Sequence, residues 1–425
     1  MPTRPSTMYI SQFVESTMPQ FPASGTFIQS IRESSRLLRK SAQISITPES
    51  IKRLLLSPAF TGSFKRVSAS HGLALPLNFA SPLDELNLLS ILALLNFASG
   101  YRVQLHTEIG RGAWDSIRAF VFGMYLASSS DDGDLLSARG MKSISPAKVA
   151  EILGVNVHVE RAHDTIPGLT IGELGGPMHE LVQLITWVLN DTGAVLVNLG
   201  YPNLGAFIAE TLKEGEKIQA KDGPNVALDA ILERIVRAIP AFQDMADING
   251  QTIYCFKKAL FLIHAVVVRF GSISPPPFPI PSTAQSPVFT DNVLPSMLIH
   301  LGVIDLSGSP TLSPLFPGAG SATSLDTLLA ASNVPKGGSK IIPKEGPILT
   351  SDQAYILRAA AIDACELIIE LAHSLESSVF PDDGSLDWIK KITLPDLDMW
   401  IWSVAKDRLD YRMLKRFVLK NTVFF

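Results

Sequence analysis

The sequence predicts an all-α protein: mostly helical, with at most a small accessory sheet, folded as a single domain. Three observations lead there. Apolar residues recur at helical spacing along most of the chain, helix caps and stops fall at the ends of those stretches, and alternating apolar–polar runs are scarce. With 46% hydrophobic residues in a chain of 425, a large core can form without disulfide or metal staples.

The helical stretches follow in order. Leu86–Ala98 is almost continuously apolar. Trp114, Ile117, Phe120, Val121 and Met124 keep to one helix face. Ser145-Pro146 ahead of Ala147–Leu153, with Gly154 just after, supplies a cap, a first-turn proline and a C-terminal glycine stop. His179–Leu189 and Ala227–Ile239 repeat at the same spacing. Ile253, Phe256, Leu260, Ile263 and Val267 form a stripe, and Ala259–Val268 is apolar on its other faces too, so this helix is expected at the centre. Thr350 with Gln353 predicts a capping box that opens a helix running to Ser374. Only Gln43–Ile46 and Asn156–Glu160 suggest strands.

Between these stretches lie segments of loop character. Residues 1–26 are expected to be a flexible tail, with the folded domain spanning 27–425. Ser128–Asp134 is polar and acidic, Ser272–Pro287 is proline-rich, and Ser307–Gly346 is rich in Ser, Gly and Pro. Compact domains seldom hold a structureless loop that long, so 307–346 is expected to be a disordered insert.

Composition and motifs exclude several functions. A net charge of −4 and a pI near 6.1 give no basic stripe for nucleic acid. The longest apolar stretches are too short to span a bilayer, and residues 1–26 lack the pattern of a signal peptide. The expected location is the cytoplasm, with access to the nucleus. Cys255 and Cys365, the two cysteines, sit in apolar runs and read as buried reduced thiols. No dinucleotide or P-loop glycine motif, metal spacing or hydrolase elbow occurs. Gly110-Arg111-Gly112 fits a helix entry or a backbone turn against a phosphate.

Five blocks of the C-terminal half carry a resemblance. They are Ile239–Asp247 (IPAFQDMAD), Tyr254–Lys258 (YCFKK), Phe289–Gly302 (FTDNVLPSMLIHLG), Ile356–Ile368 (ILRAAAIDACELI) and Leu397–Arg408 (LDMWIWSVAKDR). Leu95-Asn96-Phe97 and Leu189–Leu196 (LNDTGAVL) agree in the N-terminal half. In this order they resemble the queuosine salvage family of nucleotide N-glycosylases, over roughly residues 27–425, with a fungal-looking, divergent spelling. The resemblance implies a helical fold reminiscent of helical DNA glycosylases. It also implies an enzyme that hydrolyses the N-glycosidic bond of queuosine 5′-monophosphate, a small-molecule substrate, and releases queuine for tRNA modification. It implies no cofactor and no metal, while charge balance and the short apolar runs argue against a direct nucleic-acid partner and a membrane.

Such a cleavage builds oxocarbenium character on the ribose, so a carboxylate is needed beneath C1′. Asp291, a few residues before Pro295, matches the family's catalytic Asp; by position alone it would serve equally as a helix cap. Asp398 is the second acid, placed to accept adjacent N–H groups of the base, near Trp400 and Trp402 as candidate walls. Lys257, in the Lys257-Lys258 pair, is assigned the 5′-phosphate. Phe97 is assigned to base stacking, and His71 to a ligand contact. Three positions depart from the family pattern. Ser403 and Ala93 stand where acids are usual, and Val293 stands where an Arg is common. A non-catalytic nucleotide-binding relative on the same fold is therefore the alternative.

Overall fold

A computed structural model describes residues 19–68, 73, 75–128, 133–331, 343–376 and 385–425. Of the described residues 59% are helical, and the described strands form two two-stranded antiparallel sheets. The all-α expectation holds.

Several helices begin and end where their local chemistry dictates. The Ser145 side chain accepts the Lys148 N–H at the start of helix Pro146–Leu153, which ends at Gly154 with φ +74°. Thr350 and Gln353 form the reciprocal capping box of helix Ser351–Ser374, and Thr393 with Asp396 does the same for Leu394–Asp407. The face predicted from Ile117 to Met124 is buried in helix Ala113–Ala127.

At the centre, helix Pro82–Leu94 is buried without interruption from Leu86 to Leu94. It packs against helices Lys257–Phe270, Leu204–Asp222 and Ala113–Ala127. Helix Ser351–Ser374 lies between Phe27–Ser41 on one side and Val293–His300 and Leu394–Asp407 on another. Helix Gly176–Leu199 is long and apolar enough to cross a membrane by length and composition, which the separate apolar runs of the sequence did not suggest; 50% of its most apolar window is buried within the molecule.

The apolar stripe from Ile253 to Val267 divides between two kinds of structure. Ile253 belongs to β4 (Gln251–Tyr254), paired antiparallel with β3 (Met245–Ile248). Asn249 and Gly250 between them both take positive φ, 54° and 79°, the conformation that an Asn-Gly hairpin turn demands. Phe256, at φ +45°, caps the helix, which starts at Lys257. A period of 3.6 cannot separate a buried strand end from the helix that follows it.

Other expectations need correction. Gln43–Ile46 yields only an isolated bridge between Ser45 and Asp305. Asn156–Glu160 overlaps β1 (His158–Ala162), whose partner β2 (Thr170–Leu174) carried no clear signal. Within the expected disordered insert, 307–331 is packed: Leu312, Phe316, Leu325, Leu328 and Leu329 are buried, and Ala322–Leu328 is helical. Backbone carbonyls there accept from Arg408 and Tyr411. Its apolar residues lack a period because they are anchored one by one. Residues 332–342 lie outside the described residues. The tail also ends earlier than expected. Tyr254 donates to the Gln20 carbonyl, and Ser24 with the Gly25 N–H binds Glu233.

Candidate functional site

Five segments meet around a cavity of about 290 Å³, close to the lower end of small-molecule sites, roughly 300 Å³. They are the Asn96–Arg102 turn, the start of helix Ala113–Ala127, the first turn of helix Lys257–Phe270, the Asp291–Val293 entry, and the C-terminal half of helix Leu394–Asp407 with the chain beyond it.

Asp291 is 8% exposed and lines the cavity. Its Oδ1 accepts the Val293 N–H at 2.7 Å, so it stands immediately before helix Val293–His300, whose positive end favours the carboxylate. The run before it is pinned on both sides. Asp398 Oδ2 accepts the Phe289 N–H at 2.7 Å, and Arg358 Nε donates to the Thr290 carbonyl at 3.1 Å.

Asp398 does not line the cavity, contrary to the sequence-based expectation. Its side chain leans back toward the start of its own helix, where one oxygen is already taken by Phe289. Burial pushes its carboxyl up to about 7, against the opposing effect of that hydrogen bond. Trp400 is also displaced from its expected place: it is fully buried, packs on Phe60 and donates to Ser63. Trp402, two residues on, faces the cavity.

Lys257 lines the cavity, while Lys258 does not. Both ammonium groups close the C-terminal end of helix Pro82–Leu94: Lys257 Nζ donates to the Asn96 carbonyl at 2.5 Å, and Lys258 Nζ to the Leu94 carbonyl at 2.7 Å. Neither is the solvated surface lysine that a pair at a helix entry usually is. Burial lowers Lys257 to about 8, with Asp291 the largest opposing influence. Among the charged groups that act on it, the Asp291 carboxylate is thus the strongest.

Phe97 is 3% exposed and contributes one wall; Lys258 Nζ lies 5.2 Å from its ring centroid. Trp114 and Trp402 form a corner, with ring centroids 6.3 Å apart at 83°. Lys406 Nζ sits 3.0 Å from the Trp402 centroid, so one indole face already carries a cation. His71 lies outside the described residues.

Of the cations, the sequence singled out Lys257 and left the others unassigned. Arg102, Lys257, Lys406, Arg412 and Arg416 line the cavity against two acids, Asp115 and Asp291. Burial together with Arg416 and Arg412 disfavours the charge of Arg102, and burial together with Arg102 and Arg412 lowers His106. Lys406 keeps an exposed surface on the cavity side, so the lowering of its ammonium by the surrounding protein is moderated by solvent. Repulsion among these groups is the signature of an anion site. Arg416 is 6% exposed, donates to the Ala405 carbonyl, and leaves its Nε without a partner; Ser99 Oγ and Trp114 Nε1 in the same wall are likewise unpartnered. Helix Ala113–Ala127 directs its N-terminus to the same space through Gly112 and Ala113, adding backbone donors. Gly112 of the Gly-Arg-Gly run is therefore at the cavity, while Arg111 is not among its lining residues.

Of the three departures, Val293 lines the cavity, Ser403 is buried next in sequence to the cavity-lining Trp402, and Ala93 is fully buried in the central helix. Among the described residues, no group of three or more His, Cys, Asp or Glu is placed to hold a metal ion. Fold and site together define a helical protein with an aromatic, cation-rich pocket around one buried carboxylate. No family model matches the chain, and no curated protein matches it either.

Proposed function

We propose that the protein hydrolyses the N-glycosidic bond of queuosine 5′-monophosphate, releasing queuine. One observation carries this reading: a buried carboxylate, a corner of indoles and a cluster of arginines share one cavity of small-molecule size. A flat base fits against Trp114 and Phe97. The 5′-phosphate belongs with Arg102, Arg412, Arg416 and Lys406, in place of the Lys257 contact expected from sequence. Fork-shaped guanidinium groups suit phosphate oxygens.

In this reading Asp291 sits beneath C1′. As the C1′–N bond lengthens, positive charge spreads over C1′ and the ring oxygen, and the carboxylate stabilises it. The C1′–N bond breaks, a water oxygen bonds to C1′, and the proton that this water releases balances the one taken up by the departing base nitrogen. Lys257, whose ammonium Asp291 favours, is the cation that faces that carboxylate.

The test is incubation with queuosine 5′-monophosphate and detection of free queuine. Asp291→Asn is expected to lower turnover at least ~100-fold while keeping most of the binding. Near-normal turnover in that variant would return Asp291 to the role of a helix cap. The second reading, a non-catalytic nucleotide binder, is favoured by Val293 at the cavity wall, where the family commonly has Arg. It predicts nucleotide binding by the wild type with no release of base.

A further inference from the structure

We propose that Asp244 and Arg358 act as one positioning device that fixes the Asp291 carboxylate relative to the Lys257 side chain. The proposal rests on the reading above, in which Asp291 acts on the sugar. Both residues are completely buried and form a two-pronged pair, Nη1–Oδ1 at 2.9 Å and Nη2–Oδ2 at 2.5 Å. Neither lines the cavity, but Asp244 bonds to Lys257, which does, and Arg358 bonds to Thr290, the neighbour of Asp291, which does.

On one side, Asp244 Oδ2 accepts the Lys257 N–H at 3.1 Å. Its own carbonyl accepts the N–H groups of Cys255 and Phe256, which holds Phe256 in its left-handed conformation and sets where the helix begins. On the other side, Arg358 Nε donates to the Thr290 carbonyl at 3.1 Å, one residue before Asp291. The Phe425 ring, part of the cavity wall, covers the guanidinium at 4.3 Å. Three chain segments far apart in sequence are thereby referenced to a single rigid fork.

A buried ion pair is a poor source of stability, because desolvation offsets most of its attraction and apolar replacements often serve as well. Its gain is geometric. The planar guanidinium offers donors in fixed directions, so the distance between the Lys257 backbone and the Thr290 carbonyl is set without slack. A shift of about 1 Å in a reacting group costs up to ~100-fold in rate.

The experiment uses the full chain carrying Asp244→Asn together with Arg358→Met. Asn keeps an acceptor for the Lys257 N–H, and Met fills the volume while releasing Thr290. Tyr355→Phe is the comparison, because it removes a different bond to the same carboxylate, from the Tyr355 hydroxyl at 3.1 Å. For the double variant kcat is expected to fall roughly 10- to 100-fold with KM little changed; for Tyr355→Phe, stability falls and kcat holds. Retained kcat in the double variant, or equal losses in both, overturns the proposal. Should the double variant fail to fold, Arg358→Lys carries the same test, since an ammonium lacks the fork that holds Asp244 and Thr290 at once.

A second readout does not depend on nucleotide cleavage. The pH profile of Lys257 acetylation by acetic anhydride, read by peptide mass, reports its surroundings: burial lowers it most, Asp291 raises it against that, Arg358 lowers it, and Asp244 and Asp398 raise it. Lys258 adjoins it, and the double variant leaves that residue in place. The losses of Arg358 and Asp244 oppose each other and Arg358 is the stronger influence, so together they do not lower the midpoint, and a lower midpoint in the double variant reports the departure of Asp291. An unchanged or raised midpoint overturns the proposal. A wild type that releases no queuine, with a midpoint that still moves, rejects the proposed function and leaves the positioning role standing.

Discussion

At the residue scale, the cavity assigns different tasks to like groups. Two acids show this. Asp291 keeps an oxygen free beside the cavity, whereas Asp398 is buried behind it and bound to the Phe289 N–H. Burial raises the Asp398 carboxyl from 3.8 to about 7. The folded state therefore holds a proton that the unfolded state has lost. Stability from this group is complete below the unfolded value and declines as pH rises toward and past about 7. Asp398→Asn is expected to flatten that decline, measured as the difference in urea midpoint between pH 5 and pH 8 against wild type. An unaltered difference would show that Asp398 is ionised in the fold. The cations give a second expectation. Removing one guanidinium with Arg416→Met should weaken binding of a nucleotide 5′-monophosphate by about tenfold or more, and binding of the matching nucleoside far less, since only the former carries the charge. Equal losses on both ligands, by calorimetry, would remove the phosphate from this end of the cavity.

At the element scale, the segment 307–331 illustrates how a composition typical of disorder can still pack. Tyr411 donates to the Leu328 carbonyl at 2.6 Å, and Arg408 Nη1 to the Ala330 carbonyl at 2.9 Å, while Leu325 and Leu328 are each 5% exposed. Leu328→Ala is expected to cost about 2–5 kcal/mol, seen as a clear drop in melting temperature; deletion of 307–331 should cost more. A deletion with unchanged melting temperature would restore the reading of this segment as a dispensable insert. The same scale shows what local pattern can convey. Ser145, Pro146 and Gly154 define a helix by themselves, because caps act within one turn. Ile253 and Phe256 could not be assigned correctly, because burial on one side is common to a strand end and a helix. The Asn249-Gly250 pair was the available sign of the hairpin.

At the scale of the whole molecule, the cavity depends on chain segments that meet only through the fold. Gly346 lies against the backbone of Arg416: a Cβ there would stand 1.8 Å from the Arg416 carbonyl oxygen. The neighbouring Val418 N–H donates to the Pro347 carbonyl. Gly346→Ala should therefore push the Arg416 segment away, lowering the melting temperature and weakening phosphate-dependent binding together. Loss of stability with intact binding would mean that this contact does not position the arginine.

Helical class and a good part of the helix limits were determined by the sequence alone, since periodicity and capping are properties of a few neighbouring residues. Quoted motifs also brought Asp291, Lys257, Phe97 and Trp402 forward as candidates, and all four line one cavity. Only the tertiary structure decided that Asp398 stands behind that cavity, that Lys258 is sealed in the core, and that Arg102, Arg412 and Arg416 converge on it. Those three arginines belong to separate turns with no shared motif, and a charged residue in a linear pattern looks the same whether it meets solvent or two other guanidinium groups. Buried charge is a collective property of packed helices, so its cost and its use become visible only once they are packed.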